Sequence, residues 1–214
     1  RDLVLKNLFE NNYIDKKKYE KFINNKIFLK KRKKIFLEDA QYYVEDIRKN
    51  VINKFGFEKV YKQGLNINTP INLNFQKIAT QSLRDGLISY DQRKGWRGAL
   101  TNKKIFENWT EGLEKLKLEK SINWNLAIVK RIEKFKVEIE IENKSKGFIK
   151  YENITWTKKE FNELFKKGDI IYVEHLKNDI FSLKQLPQVN GGIVVMDPFT
   201  GRVLALSGGF SFKK

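Results

Sequence analysis

The sequence predicts an α+β chain, and three observations carry that prediction. Apolar residues recur at helical spacing within residues 1–55 and again over 72–90. Five short β-rich runs follow one another between residues 124 and 186. Two apolar runs, 193–196 and 203–206, then flank a turn near the C-terminus. Together they give a helical N-terminal part, linker helices with one strand, a small five-stranded barrel and a C-terminal β-hairpin.

Each element has its own signal. Leu3, Val4, Leu5, Leu8 and Phe9 form an apolar stripe that Asn11 and Asn12 break. Asp15 is placed to cap a second short helix carrying Tyr19, Phe22 and Ile23. The run KKRKK at 30–34 reads as a solvated linker. Over 38–55, Tyr42, Tyr43, Ile47, Val51, Ile52 and Phe55 recur at helical spacing, and Gly56 is placed to stop the helix. Leu65, Ile67 and Thr69 alternate with Asn66 and Asn68, the pattern of a strand closed by Pro70. Residues 72–90 return to helix, with Phe75, Ile78, Ala79, Leu83, Leu87 and Ile88 expected on the buried side. DQRKGWRGAL, 91–100, is a loop. The runs WNLAIVKRI, KVEIEIE, KGFIKY, KKGDIIYVE and IFSLKQL are successive strands, with a short helical piece near 159–165. Five strands with one short helix fit an OB-like barrel. The closing hairpin turns at Asp197–Gly201 and is expected to bury both strands, yet to leave strand edges unpaired.

Composition bounds the function. The 214 residues are 41% hydrophobic and 13% aromatic, which is globular and long enough for one or two domains. No apolar run approaches the ~20 residues of a membrane span. A chain opening on Arg1 is expected to be part of a longer product. There is no cysteine, so there is neither a disulfide framework nor a thiolate metal site. The net charge of +17 favours anionic partners: nucleic acid, anionic headgroups or acidic polymers. A codon bias towards Lys, Asn and Ile, residues plentiful throughout the chain, is the better explanation of that charge.

No catalytic, cofactor-binding or metal-binding residue emerges from the motifs. Glu138, Glu140 and Glu142 are spaced by two, so they share the outer face of a strand near Lys134, Lys136 and Lys144, while Val137, Ile139 and Ile141 face inward. His175, the one histidine, lacks companions at metal-binding spacing and reads as a surface residue after a strand. Ser211 to Lys214 fits S-x-x-K by letter, but S-D-N and K-T-G are absent. Trp96, Phe148 and Tyr151 stand among cations, as a stacking platform for single-stranded nucleic acid does; packing of the barrel or its joint explains them better.

Several stretches, in one order, resemble a single family. RDLVLKNLFENNYID resembles the end of a glycosyltransferase domain, with Asn12 where Gly is usual. AQYYVEDIRKNVINKFGFEKVYKQGLNINTPINLNFQKIATQSLRDGL resembles the linker and the first part of a transpeptidase domain. There the family often reads Thr-Thr-Leu-Asp in place of Asn68, Thr69, Pro70 and Ile71. YDQRKGWRGAL, ITWTKK, LFKKGDIIYVE and FSLKQLPQV are similar to an OB-like domain between them, and GGIVVMDPFTGRVLALSGGFSF to the first transpeptidase hairpin. The family is that of class A, bifunctional penicillin-binding proteins of the 1A type. The pair Gly168–Asp169 and the last stretch carry the resemblance most specifically.

The resemblance implies four segments: 1–36, the glycosyltransferase tail; 37–95, the linker and N-terminal transpeptidase region; 96–187, the OB-like domain; and 188–214, the first hairpin. It implies a non-catalytic centre of a peptidoglycan synthase. The partners would be the flanking glycosyltransferase and transpeptidase domains, with cell-wall synthesis regulators and an anionic membrane surface or peptidoglycan as further candidates. The implied location is the periplasmic face of the bacterial cytoplasmic membrane, and no cofactor is implied. The alternative from composition alone is a free-standing basic OB module binding single-stranded nucleic acid.

Overall fold

The computed structural model describes residues 1–26, 37–103 and 108–212. The chain divides into two units, 1–36 and 37–214. The KKRKK run lies outside the described residues, as does Lys214.

In the first unit α1 (Asp2–Glu10) and α2 (Lys16–Asn24) form a helical pair. Phe9 stacks on Tyr19 at 5.0 Å between ring centroids, and the Arg1 guanidinium donates to the carbonyls of Asn25 and Ile23. The Asp15 carboxylate caps α2 by accepting from the Lys18 amide at 2.7 Å. Asn12 sits in the left-handed region at φ +59°, which asparagine tolerates better than most residues.

The second unit begins with α3 (Gln41–Phe55), stopped by Gly56 at φ +81° as the sequence predicts. A further helix, α4 (Phe57–Lys62), was not anticipated. Residues 65–72 are not a strand. Ile67, Thr69 and Ile71 instead line an apolar groove with Tyr43, Ile47 and Val51, so their alternation is met by a helix face rather than by a sheet. Helix α5 (Leu73–Gln92) starts where the Asn72 side chain accepts from the amides of Asn74 and Phe75.

The barrel is built from β2 (Trp124–Ile132), β3 (Lys136–Ile141), β4 (Lys146–Lys150), β5 (Asp169–Lys177) and β6 (Ile180–Lys184). Its order is β5-β2-β3-β4-β6, and the β5–β6 pairing closes it. All neighbours are antiparallel except β4 and β6, which are parallel. The short β1 (Thr101–Asn102) adds to the start of β5. Strand β3 alternates, with Val137, Ile139 and Ile141 buried. The middle of β2 and the first half of β5 are buried on both faces, as their apolar runs require. Ala127, Val129, Ile171 and Val173 face the interior, closed by Phe161, Leu164 and Phe165 of the α6 (Phe161–Leu164) region. Leu126, Ile128, Ile170 and Tyr172 face a second cluster with Trp109 and Leu113.

Gly168 shows why the turn before β5 needs glycine. Its φ is +90°, and a Cβ there would lie 2.2 Å from the Lys103 carbonyl oxygen. The backbone crosses so closely because Lys103 donates to Gly168 and Gly168 donates to Val129. Asp169 locks the turn by accepting from the Lys166 amide and the Asn102 side chain, both at 2.7 Å.

The hairpin pairs β7 (Ile193–Met196) with β8 (Val203–Ser207). It is less buried than the sequence implies: β7 alternates between half-buried and exposed, and only Ala205 and Ser207 of β8 are fully buried. The β8 edge is not left unpaired, because α3 and α5 satisfy it.

Candidate functional site

The residues singled out by sequence do not come together. Glu140 is held by the Trp109 indole at 2.8 Å and by Lys130 at 2.9 Å, and Glu142 pairs with Lys117 at 2.7 Å. These partners differ from the lysines nearest in sequence. Burial would raise the Glu140 pKa, but the bonds from Lys130 and Trp109 hold it below the usual carboxylate value. His175 lies within β5, not after it, exposed and edge-on to Phe181. Ser211 is buried, and its carbonyl accepts from the Tyr42 hydroxyl. Trp96 packs against Trp156 and Phe165 at the barrel mouth, whereas Tyr151 stays half exposed beside Phe161. Among the described residues no group of three His, Asp or Glu is arranged to hold a metal ion.

What converges instead is a polar face of α5. Of the residues expected on the buried side, Ala79 and Leu87 are buried and Leu83 and Ile88 pack partly buried beside them, but Phe75 and Ile78 are exposed, and the buried face is completed by Gln76, Thr80, Arg84 and Asp91. Gln76, Thr80, Arg84 and Asp91 recur at four, four and seven residues, so they lie on one side of the helix. That stripe was readable in the sequence. Its burial was not, because its partners are remote.

Near the start of α5, the Gln76 side-chain amide mimics a peptide group. It donates to the Leu206 carbonyl and accepts from the Leu206 amide, both at 2.9 Å. The Asn72 amide adds a bond to Leu204 O, and the Tyr43 hydroxyl one to Val203 O. One edge of β8 is thereby satisfied without another strand.

In the middle, Arg84 donates to Glu119 at 2.8 Å, to the carbonyls of Phe210 and Ser121, and to the Ser121 hydroxyl. Asp39 stands 3.8 Å away. The guanidinium joins three segments that are distant in sequence.

At the end, Asp91 accepts from Arg97 at 2.8 Å, from the Gln185 side chain at 2.9 Å and from the Gln188 amide at 3.1 Å. Gln185 in turn accepts from the Arg97 amide, and Arg97 donates to Leu186 O. The chain enters the barrel through Arg97 and leaves it through Gln185 to Gln188, and Asp91 holds both passages. Burial pushes the Asp91 pKa up, but its hydrogen bonds outweigh that and hold it below the usual value.

Comparison with known proteins places this arrangement. The profile of the penicillin-binding protein OB-like domain matches residues 96–189. Penicillin-binding protein 1A of Rickettsia prowazekii is 37% identical over 99% of this chain. Over nearly its whole length the chain matches a segment of penicillin-binding protein 1A. The family's crystal structure from Haemophilus influenzae superposes with a TM-score of 0.69 at 26% identity, covering 99% of this chain and 31% of that one. Penicillin-binding protein 1A of Pseudomonas aeruginosa is 25% identical across the whole chain. The chain spans only 27% of the length of these two curated relatives. Among the described residues no helix is long and apolar enough to cross a membrane. The relatives give no support to the nucleic-acid alternative.

Proposed function

We propose that this chain is the non-catalytic centre of a bifunctional peptidoglycan synthase and sets the geometry between its two catalytic domains. Residues 1–36 are the glycosyltransferase tail, 37–95 the linker and N-terminal transpeptidase region, 96–187 the OB-like domain and 188–214 the first transpeptidase hairpin. No residue of the chain is assigned a catalytic role. The parent polymerises glycan strands and cross-links their peptides at the periplasmic face of the cytoplasmic membrane, with the flanking domains as its first partners.

One observation supports this reading above the others. Helix α5 binds the β8 edge through Gln76, the post-hairpin chain through Arg84, and both passages into the barrel through Asp91. A helix so tied on every side is a spacer, not a tether.

The test is an Arg84→Ala, Asp91→Ala double variant of the full-length protein, assayed separately for glycan polymerisation and peptide cross-linking. Loosened geometry lowers cross-linking per polymerised unit while polymerisation continues. Equal coupling in variant and parent, with the variant folded, overturns the spacer role.

A further inference from the structure

Between Gln188, which Asp91 holds, and Ile193, which begins β7, the chain reads Val189, Asn190, Gly191, Gly192. Asn190–Gly191 is the one Asn-Gly step in the sequence. Asn190 is exposed and lies in irregular backbone. The Gly191 amide donates to Asn190 Oδ1 at 3.0 Å, and among the described residues no backbone carbonyl accepts it. The carbon that carries Oδ1 is one C=O bond from that oxygen, about 1.2 Å. The amide nitrogen and the side-chain carbonyl carbon are therefore neighbours in space, with no Cβ on Gly191 to keep them apart. The Asn190 oxygen is also backed by Gly209, where a Cβ would stand 2.9 Å from it.

We propose that Asn190 is a modification site, at which the side-chain amide converts spontaneously to a carboxylate. The Gly191 nitrogen gives its proton to solvent hydroxide and attacks Asn190 Cγ. The new N–Cγ bond closes a five-membered imide as the Cγ–Nδ2 bond breaks, and the side-chain nitrogen takes a proton from water and leaves as ammonia. Water then adds to one of the two imide carbonyls and breaks its bond to nitrogen. Opening at Cγ gives aspartate. Opening at the Asn190 backbone carbonyl gives isoaspartate, in which the main chain runs through the side chain. Both products place a negative charge in the passage from barrel to hairpin, and isoaspartate lengthens that passage by a methylene.

Two other places in the chain lack part of this arrangement. Asp85–Gly86 also sets a glycine amide beside a carboxyl side chain. It lies inside α5, however, where the amide belongs to the helical ladder and Asp85 accepts from Gln81. Asn66 and Asn68 are exposed in irregular backbone, but the β-branched Ile67 and Thr69 follow them and crowd the attacking amide. Asn190 combines exposure, a glycine neighbour and an amide with no backbone acceptor.

The test is mass spectrometry of proteolytic peptides from the whole 214-residue chain, incubated in heavy-oxygen water at neutral and at mildly alkaline pH, folded and in urea. In the folded chain the peptide holding Asn190 is expected to convert before those holding Asn66 and Asn68. It should take up solvent oxygen and give both aspartate and isoaspartate. The rate should rise with pH, because the attacking nitrogen must first lose its proton. Gly191→Ala is expected to slow the conversion about tenfold, as loss of the close approach implies. That variant should fold, since a Cβ at Gly191 would meet the Leu87 and Leu83 side chains at 3.5 and 3.6 Å, ordinary contact distances. Asn190 staying intact in the folded chain overturns the proposal; its conversion in urea would then show that the fold protects it. Equal rates in Gly191→Ala and the parent, or conversion of Asn66 or Asn68 ahead of Asn190, overturn it as well. The readout is a peptide mass, so the site and the spacer role fail separately.

Discussion

Arg84 and Glu119 form an ion pair at 2.8 Å with side chains only 7% and 3% exposed. Breaking a buried pair from one side leaves a desolvated charge, and such losses run to about 3–5 kcal/mol. Arg84→Ala is therefore expected to lower the urea midpoint sharply. Arg84→Lys keeps the charge but not the planar fork that reaches Phe210, Ser121 and Glu119 together, and should fall between the two. Equal midpoints for Ala and the parent would remove the pair from any account of stability.

Asp91 makes a prediction about pH. Its pKa in the folded chain lies below the ordinary value of 3.8. The stabilisation is therefore present above that ordinary value and is lost as pH falls through the folded one. Asp91→Asn is expected to be less stable than the parent at neutral pH. The gap should narrow as the solution is acidified below about pH 4. A gap that stays constant down to pH 2 refutes it.

Gly168 and Gly201 both have positive φ, +90° and +69°, but only Gly168 has a backbone atom where a Cβ would stand. Gly201→Ala should cost about 1–2 kcal/mol, the conformational term alone. Gly168→Ala adds a collision with Lys103 O and is expected to lower the thermal midpoint well beyond that. Similar losses at the two positions would show that the close crossing is not a constraint.

Gln76 predicts a local effect on dynamics. Gln76→Ala removes the acceptor for the Leu206 amide. Hydrogen exchange at Leu206 should accelerate, while Ile139, deep in the barrel, keeps its protection. Unchanged exchange at Leu206 would mean that other groups satisfy the strand edge.

The barrel was legible in the sequence because its signals are local. Strand β3 alternates on its own, WNLAIVKRI is apolar on both faces, and Gly168–Asp169 marks the turn before β5. The polar joint was not legible. Gln76 meets a partner 130 residues away, Arg84 one 126 away and Asp91 one 94 away. Nothing near them in sequence announces that a glutamine, an arginine and an aspartate are buried, and hydrophobic periodicity favours Phe75 and Ile78 for that face. The alternation at 65–69 misled for a related reason: periodicity reports which side chains are covered, not whether a strand or a helix covers them.

Gln76 and Asp91 are fifteen residues apart on one continuous helix, a span of about 22 Å at 1.5 Å per residue. One end of that rod grips the edge of the hairpin, and the other grips both passages into the barrel. In mechanical terms α5 is a crankshaft. A torque applied to the barrel would be carried to β8 along a continuous helix, through bidentate or charge-assisted bonds that are buried or partly buried.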